Sequence, residues 1–144
     1  MASYVYNQGL LKLANGSINY VNDTIRVLIV NQSYVFNKAH DFVDDVVSFE
    51  MVNSTGTGYE RKTLASKTVT LVGDRAVYDA ADVTYTAVQT TQQFAGAVVY
   101  KEAASDATRE LIAFIDFNDL PTNGSDIQIQ WSADGLFRIT NVLA

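Results

Sequence analysis

Residues 126–140 read Asp126-Ile127-Gln128-Ile129-Gln130-Trp131-Ser132-Ala133-Asp134-Gly135-Leu136-Phe137-Arg138-Ile139-Thr140. The segment alternates apolar and polar side chains, breaks at Asp134-Gly135 and then resumes. Because successive side chains on a strand point to opposite faces, Ile127, Ile129 and Trp131 would share one buried face. Asp-Gly pairs tolerate the backbone conformation of tight turns. The pattern therefore predicts a half-buried β-hairpin that carries no catalytic residue.

The other segments show the same strand-and-turn pattern. Residues 24–30 are rich in β-branched side chains, and residues 94–100 and 111–117 are apolar at nearly every position. Such apolar runs are typical of central strands that are covered on both faces. Residues 67–72 alternate and end at Gly73-Asp74, which predicts a tight turn into another strand. Short strands at intervals of about ten residues indicate a mainly β fold, an antiparallel β-sandwich or a jelly-roll-like barrel.

One short helix is predicted at the N-terminus, over residues 3–15. Ser3 would cap this helix, and Asn15-Gly16 would end it, because glycine adopts the left-handed conformation found beyond helix ends. The apolar residues at helical spacing are Tyr6, Leu10 and Leu13. This apolar stripe requires a sheet or a partner chain to cover it, and the sheet of the same chain is the usual cover.

Residues 31–60 allow two interpretations. Their apolar side chains at positions 42–49 have a spacing that suits both a short helical turn and a bulged strand. Residues 53–58 are a loop by composition. Since no linker, repeat or low-complexity segment divides the chain, residues 1–144 are predicted to form a single β domain, with the β-sandwich over residues 24–140.

Composition excludes several classes of function. The net charge of −6 and the pI near 4.5 argue against a nucleic-acid partner, which requires clustered Lys and Arg side chains. Cysteine is absent, so the chain has no disulfide, thiolate nucleophile or zinc-thiolate site. No apolar run approaches the roughly 18 residues that span a bilayer, and no signal peptide is recognisable. We expect neither membrane association nor classical secretion.

Candidate catalytic and metal-binding residues are few. His40 is the only histidine, and the sequence has no Gly-X-Ser-X-Gly signature that would present a serine to it. Acidic residues occur at Asp44-Asp45 and at Asp116, Asp119 and Asp126, without the spacing of a calcium-binding loop. We therefore expect no catalytic residue, no cofactor and no metal site, and a protein that is not an enzyme.

Aromatic residues are concentrated in the first quarter of the chain. Tyrosine is enriched at protein interfaces because it combines a large apolar face with a polar tip. The candidate interface residues are Tyr4, Tyr6, Tyr20, Tyr34 and Phe36. The alternative is that these rings pack the helix on the sheet, and the sequence leaves both interpretations open.

Several segments, spread over most of the chain, carry a family resemblance. They are Tyr6-Asn7-Gln8-Gly9-Leu10-Leu11-Lys12-Leu13, Asp23-Thr24-Ile25-Arg26-Val27-Leu28-Ile29-Val30, Gly56-Thr57-Gly58-Tyr59, Asp74-Arg75-Ala76-Val77-Tyr78-Asp79-Ala80-Ala81-Asp82-Val83-Thr84-Tyr85, Leu111-Ile112-Ala113-Phe114-Ile115-Asp116-Phe117 and Ile129-Gln130-Trp131-Ser132-Ala133-Asp134-Gly135-Leu136-Phe137. In series they resemble a family of small tailed-bacteriophage proteins found among virion structural genes. None of them is a catalytic signature, so the resemblance concerns strand cores and turns.

The resemblance implies a non-enzymatic component of the phage particle. Its first implication is a head decoration or cement protein that binds the major capsid protein or other virion proteins. The alternatives are a tail or fibre accessory protein and a receptor- or carbohydrate-binding module. The expected protein is a homo-oligomer, with a trimer as the first choice, that is made in the host cytoplasm and located in the virion.

Overall fold

The computed structural model describes residues 1–52, 56–90 and 93–142. Over these residues the fold is mainly β, with antiparallel sheets and one short N-terminal helix, as predicted. The helix is α1 (Asn7–Ala14), and the strands are β1 (Ala2–Val5), β2 (Ile25–Val30), β3 (Lys62–Thr63), β4 (Thr68–Val72), β5 (Arg75–Asp79), β6 (Val83–Tyr85), β7 (Gln93–Lys101), β8 (Glu110–Pro121), β9 (Ile127–Ile129) and β10 (Phe137–Thr140). Residues 53–55 of the predicted loop and the last two residues of the predicted domain lie outside the described residues.

The largest sheet has five strands in the order β1-β8-β7-β2-β3. Strands β2, β7 and β8 lie inside this sheet. Strands β2 and β7 are buried along most of their length, and β8 is buried over residues 111–115 and at Phe117. The prediction of central strands at 24–30, 94–100 and 111–117 is therefore confirmed. A run that is apolar at every position can be buried only where both faces of a sheet are covered.

Each face of the five-stranded sheet contributes to a separate hydrophobic core. Along β2, Ile25, Val27 and Ile29 belong to the larger core, whereas Leu28 and Val30 belong to the smaller one. The larger core lies beneath two further sheets, of order β10-β5-β4 and β6-β9, which gives the molecule a sandwich-like arrangement. The smaller core is closed by the segment between β2 and β3.

That segment contains two 3₁₀ turns, Val43–Asp45 and Val47–Phe49. Of the two interpretations of residues 31–60, the short helical turn is therefore the correct one at these positions. Val43 and Val46 are completely buried in the smaller core. Their three-residue spacing places both on the same side of a 3₁₀ turn.

The predicted hairpin over residues 126–140 is wrong. Strand β9 pairs with β6, and β10 pairs with β5, so the two strands belong to different sheets. The turn itself is present, because Gly135 has a φ of 83° and its N–H donates to the Ser132 carbonyl oxygen at 2.9 Å. The Trp131 backbone N–H donates to Asp82, which precedes β6, so the chain stays bound on the β6 side beyond the end of β9. Alternation predicts which face a residue occupies and leaves its strand partner undetermined.

The predicted turn at Gly73-Asp74 is confirmed. It joins β4 and β5 in an antiparallel hairpin with Val72 opposite Arg75, and Gly73 has a φ of 59°. Glycine is favoured here because side chains with a Cβ rarely adopt this conformation.

The N-terminal helix is shorter than predicted. Residues Ala2–Val5 form β1, and the residue that caps α1 is Tyr6 instead of Ser3. The edge of β8 accounts for this difference, because it pairs with β1 and the Ile112 carbonyl oxygen accepts a hydrogen bond from the Tyr6 N–H at 3.0 Å. Leu10, expected in the buried stripe, is exposed.

Helix α1 lies directly on the backbone of β8 through Gly9. A Cβ at position 9 would lie 2.7 Å from the Ile112 carbonyl oxygen and 2.8 Å from that of Leu111. Both neighbours are backbone atoms of a central strand, so they cannot move aside as a flexible side chain would.

Of the helices in the described part of the chain, none is long and apolar enough to cross a membrane.

We predict that Gly9→Ala lowers the free energy of unfolding by about 1–3 kcal/mol, the usual effect of overpacking a core. At a helix position without such a contact, Gly→Ala raises the free energy of unfolding by about 1 kcal/mol. A decrease would therefore identify the close contact between Gly9 and β8. Urea denaturation followed by circular dichroism measures it. The control is Gln8→Ala on the exposed side of α1, for which we expect little change. A Gly9→Ala variant more stable than the parent would contradict the packing.

Candidate interaction surface

Four of the five candidate interface residues meet on one side of the five-stranded sheet. Tyr4 lies opposite Phe114 in the β1–β8 ladder, so the two rings share a face and their centroids are 6.4 Å apart. Tyr34 packs edge-on against Phe114 at 5.1 Å. The aromatic cluster therefore rests on β8.

Phe36 is the ring that joins the cluster. Its centroid lies 4.9 Å from that of Tyr4, 5.0 Å from that of Tyr6 and 6.0 Å from that of Phe114. These are the separations at which aromatic pairs stabilise each other beyond their burial. The loop that carries Phe36 is attached to α1, because the Asn7 N–H donates to the Lys38 carbonyl oxygen at 3.0 Å.

Tyr6 and Tyr34 form the buried base of the cluster. Their hydroxyl oxygens are 2.8 Å apart, and the Tyr34 hydroxyl lies 3.1 Å from Nδ1 of His40. Burial raises the pKa of both tyrosines, so their phenols remain neutral and hold each other by hydrogen bonds. His40 is thus part of a structural hydrogen-bond chain that ends in a core.

Tyr20 lies away from this cluster, in the larger core. Its ring packs edge-on against Phe137 at 5.7 Å, and its hydroxyl donates to the Asp79 carbonyl oxygen at 3.1 Å. Tyr6, Tyr20 and Tyr34 are all buried within the chain. For these three residues the structure supports the second interpretation of the sequence, in which the rings pack inside the chain.

The exposed part of the cluster is a ridge formed by Tyr4, Val35 and Phe36, which we term the aromatic ridge. Tyr4 is 43% exposed and Val35 is 79% exposed, while Phe36 is half-buried. Val35 was not among the predicted residues. The signal for it is its position between Tyr34 and Phe36, because neighbouring side chains of an extended loop face opposite ways.

Two grooves, each of about 660 Å³, adjoin the ridge. Val35 and Phe36 line both grooves. The first is also lined by polar groups that include Asn31, Asp116 and Asp119. An exposed apolar ridge with polar surroundings is the usual composition of a protein-binding surface, and the two carboxylates give it a negative rim.

Other acidic residues noted in the sequence bind backbone groups. Asp45 accepts a hydrogen bond from the Asp41 N–H at 2.9 Å, and Asp126 accepts one from the Ala87 N–H at 2.9 Å. Among the residues that the structure describes, no three His, Asp or Glu side chains are grouped so that they could hold a metal ion. These carboxylates shape loops.

A network of alternating charges lies at another place on the surface. Its members, in order of contact, are Glu50, Arg61, Asp106, Arg109, Glu102 and Arg26. Arg61 donates two hydrogen bonds to Glu50, of 2.7 and 2.8 Å, and two to Asp106, of 2.8 and 3.2 Å. Positive and negative members are equal in number, so this ion-pair network joins loops without presenting a net charge to a ligand.

No family model matches this chain, and no curated protein or solved structure is significantly similar to it.

The ion-pair network gives stability a defined dependence on pH. Burial opposes the ionisation of Glu102, but hydrogen bonds from Arg109 and Arg26 outweigh it and lower the pKa of Glu102 from 4.5 to about 2. A carboxylate with a lowered pKa stabilises the folded state above its unfolded pKa. This contribution is lost as the pH falls from 4.5 to about 2.

We predict that Glu102→Gln reduces the free energy of unfolding at neutral pH by about 1–2 kcal/mol, because charge-assisted hydrogen bonds are lost from a partly exposed site. The variant should also lose less stability on acidification than the parent. Urea denaturation over a pH series measures both effects. Glu60→Gln is the control, since Glu60 is 70% exposed and forms a surface ion pair with Lys62. Equal acid sensitivity of Glu102→Gln and the parent would contradict the role of the network.

Proposed function

We propose that this protein is a bacteriophage virion structural protein, and that it decorates or cements the outside of the capsid shell. The observation that carries the proposal is the aromatic ridge, where Val35 projects into solvent beside two aromatic rings. Contiguous exposed apolar groups mark interaction sites. A cement protein stabilises a shell because it binds the assembled state in preference to free subunits.

The location of the phage-like segments supports this proposal. They contain most of α1, strands β2, β5 and β6, residues 111–117 of β8 and the turn at Gly135, whereas the loop that carries Val35 lies outside all of them. Such a distribution is expected of a protein in which a scaffold shared by a family carries a loop specific to one partner.

We propose that the partner is the major capsid protein or another virion protein. The carboxylates of Asp116 and Asp119 beside the ridge favour a partner patch that contains Arg or Lys. Rings that are already stacked lose little conformational entropy when they bind, so Tyr4 and Phe36 are suitable anchors.

Purified particles of the encoding phage provide the direct test. Quantitative mass spectrometry should find the chain at hundreds of copies per particle if it covers the shell. A few copies per particle would support the tail alternative. Absence from the particles would reject the proposal.

We predict that Val35→Lys weakens binding to particles at least tenfold and leaves the fold intact, because it places a positive charge in a desolvated contact opposite the proposed Arg or Lys side chains. Binding is measured by co-sedimentation with particles that were grown without the gene. Val142→Lys is the control, because Val142 is equally exposed, at 78%, and is not part of the ridge. Equal binding of both variants would remove the ridge from the interface.

A second candidate function is carbohydrate binding, which the composition of the first groove favours. Tyr4 and Phe36 offer aromatic faces, and Asn31, Asp116 and Asp119 offer hydrogen-bonding groups for sugar hydroxyls. This function predicts saturable binding of host surface polysaccharide by the purified chain, lost in Tyr4→Ala. A flat calorimetric titration would exclude it.

A further inference from the structure

Strand β4 is an uncovered edge of the three-stranded sheet. Within the described residues its ladder is with β5 alone, and all five of its residues are exposed. Leu71 is 80% exposed and Val69 is 41% exposed. Strand β4 thus carries apolar side chains at exposed positions, where polar side chains are usual.

The register shows which backbone groups of β4 are free. Tyr78, opposite Val69, uses its carbonyl oxygen on its other side, where it accepts a hydrogen bond from the Leu136 N–H at 2.8 Å. Val69 and Tyr78 are therefore a pair without mutual hydrogen bonds. Because such pairs alternate along an antiparallel ladder, Val69 and Leu71 both direct their N–H and C=O groups to the open edge.

Nothing in the sequence of β4 protects this edge. Natural proteins shield exposed edges with charged side chains, prolines or bulges, because unpaired backbone groups attract other strands. Residues 68–72 read Thr-Val-Thr-Leu-Val, and their ladder with β5 is regular. An unprotected edge with exposed apolar side chains is suited to pairing.

We propose that β4 pairs with β4 of a second copy of the chain, antiparallel and around a two-fold axis at Thr70. This register overlaps the whole of both strands. It places Val69 opposite Leu71 of the second copy, so the free groups of both residues form four hydrogen bonds across the contact. The two three-stranded sheets become one sheet of six strands.

The charges at the ends of β4 are complementary in this arrangement. Lys67 precedes the strand and Asp74 follows it, so antiparallel pairing brings Lys67 of each copy beside Asp74 of the other. Lys67 donates to the Asp23 carbonyl oxygen and keeps two further N–H donors. A contact of five residues a side is small, so the dimer is expected to form at micromolar concentrations or above.

The absence of cysteine makes a single engineered thiol a clean reporter of this register. In the proposed dimer the two Thr70 residues are a pair without mutual hydrogen bonds, whose Cα atoms are about 4.5 Å apart, close enough for a disulfide. Thr70→Cys should therefore form a disulfide-linked dimer under mild oxidation. Thr68→Cys is the matched control, because the two Thr68 residues are about 13 Å apart and cannot be bridged.

The second measurement is the mass of the free chain by light scattering over a concentration series. We expect a monomer–dimer equilibrium in the parent and a monomer in Leu71→Lys, which introduces a charge at the centre of the contact. Val35→Lys, on the aromatic ridge, should dimerise as the parent does.

A monomer at all concentrations, a trimer, or equal crosslinking of Thr70→Cys and Thr68→Cys would overturn the inference. The inference does not depend on the proposed capsid partner, because every measurement uses the isolated chain.

Discussion

Burial of strand β8 on both faces and along both edges is the constraint on which the rest of the structure depends. Its faces supply both cores, and its edges pair with β1 and β7. The contact at Gly9 adds a helix to the same strand. Because Phe114 of β8 also supports the aromatic rings, the candidate surface is positioned by a strand that contributes to both cores.

The central strands could be predicted because burial on both faces requires apolar residues at successive positions. This pattern is the same whichever strands lie beside them. Residues 111–117 are apolar at nearly every position, so only a central strand suits them. The partner of β9 had no such signal. Alternation at Ile127 and Ile129 is the same whether β9 pairs with the following strand or with β6, and a side chain from Asp82 decides between them. The edge strand β1 was missed for a similar reason, since β8 provides the hydrogen bonds that keep residues 2–5 extended.

The candidate surface was predictable in part. Composition identified aromatic residues in the first quarter of the chain, and four of them do converge. Which of them are exposed depends on contacts far apart in sequence, such as the 2.8 Å hydrogen bond between the hydroxyls of Tyr6 and Tyr34. Val35 has no aromatic ring, and one apolar side chain in a loop is common. Its position between Tyr34 and Phe36 indicates that it is exposed, and the structure adds that it lines the same grooves as Phe36.

Folding explains why a residue is apolar only where its side chain is buried. Ile29 and Phe114 are buried, and folding accounts for their apolar character. Leu71 and Val35 are about four-fifths exposed, so replacing either with a polar residue would cost the fold little. Isolated exposed apolar side chains are common, but Leu71 adjoins unpaired backbone groups and Val35 adjoins stacked rings. A free strand edge can pair with another strand, and an exposed apolar patch can be buried by another protein, so both surfaces are suited to assembly.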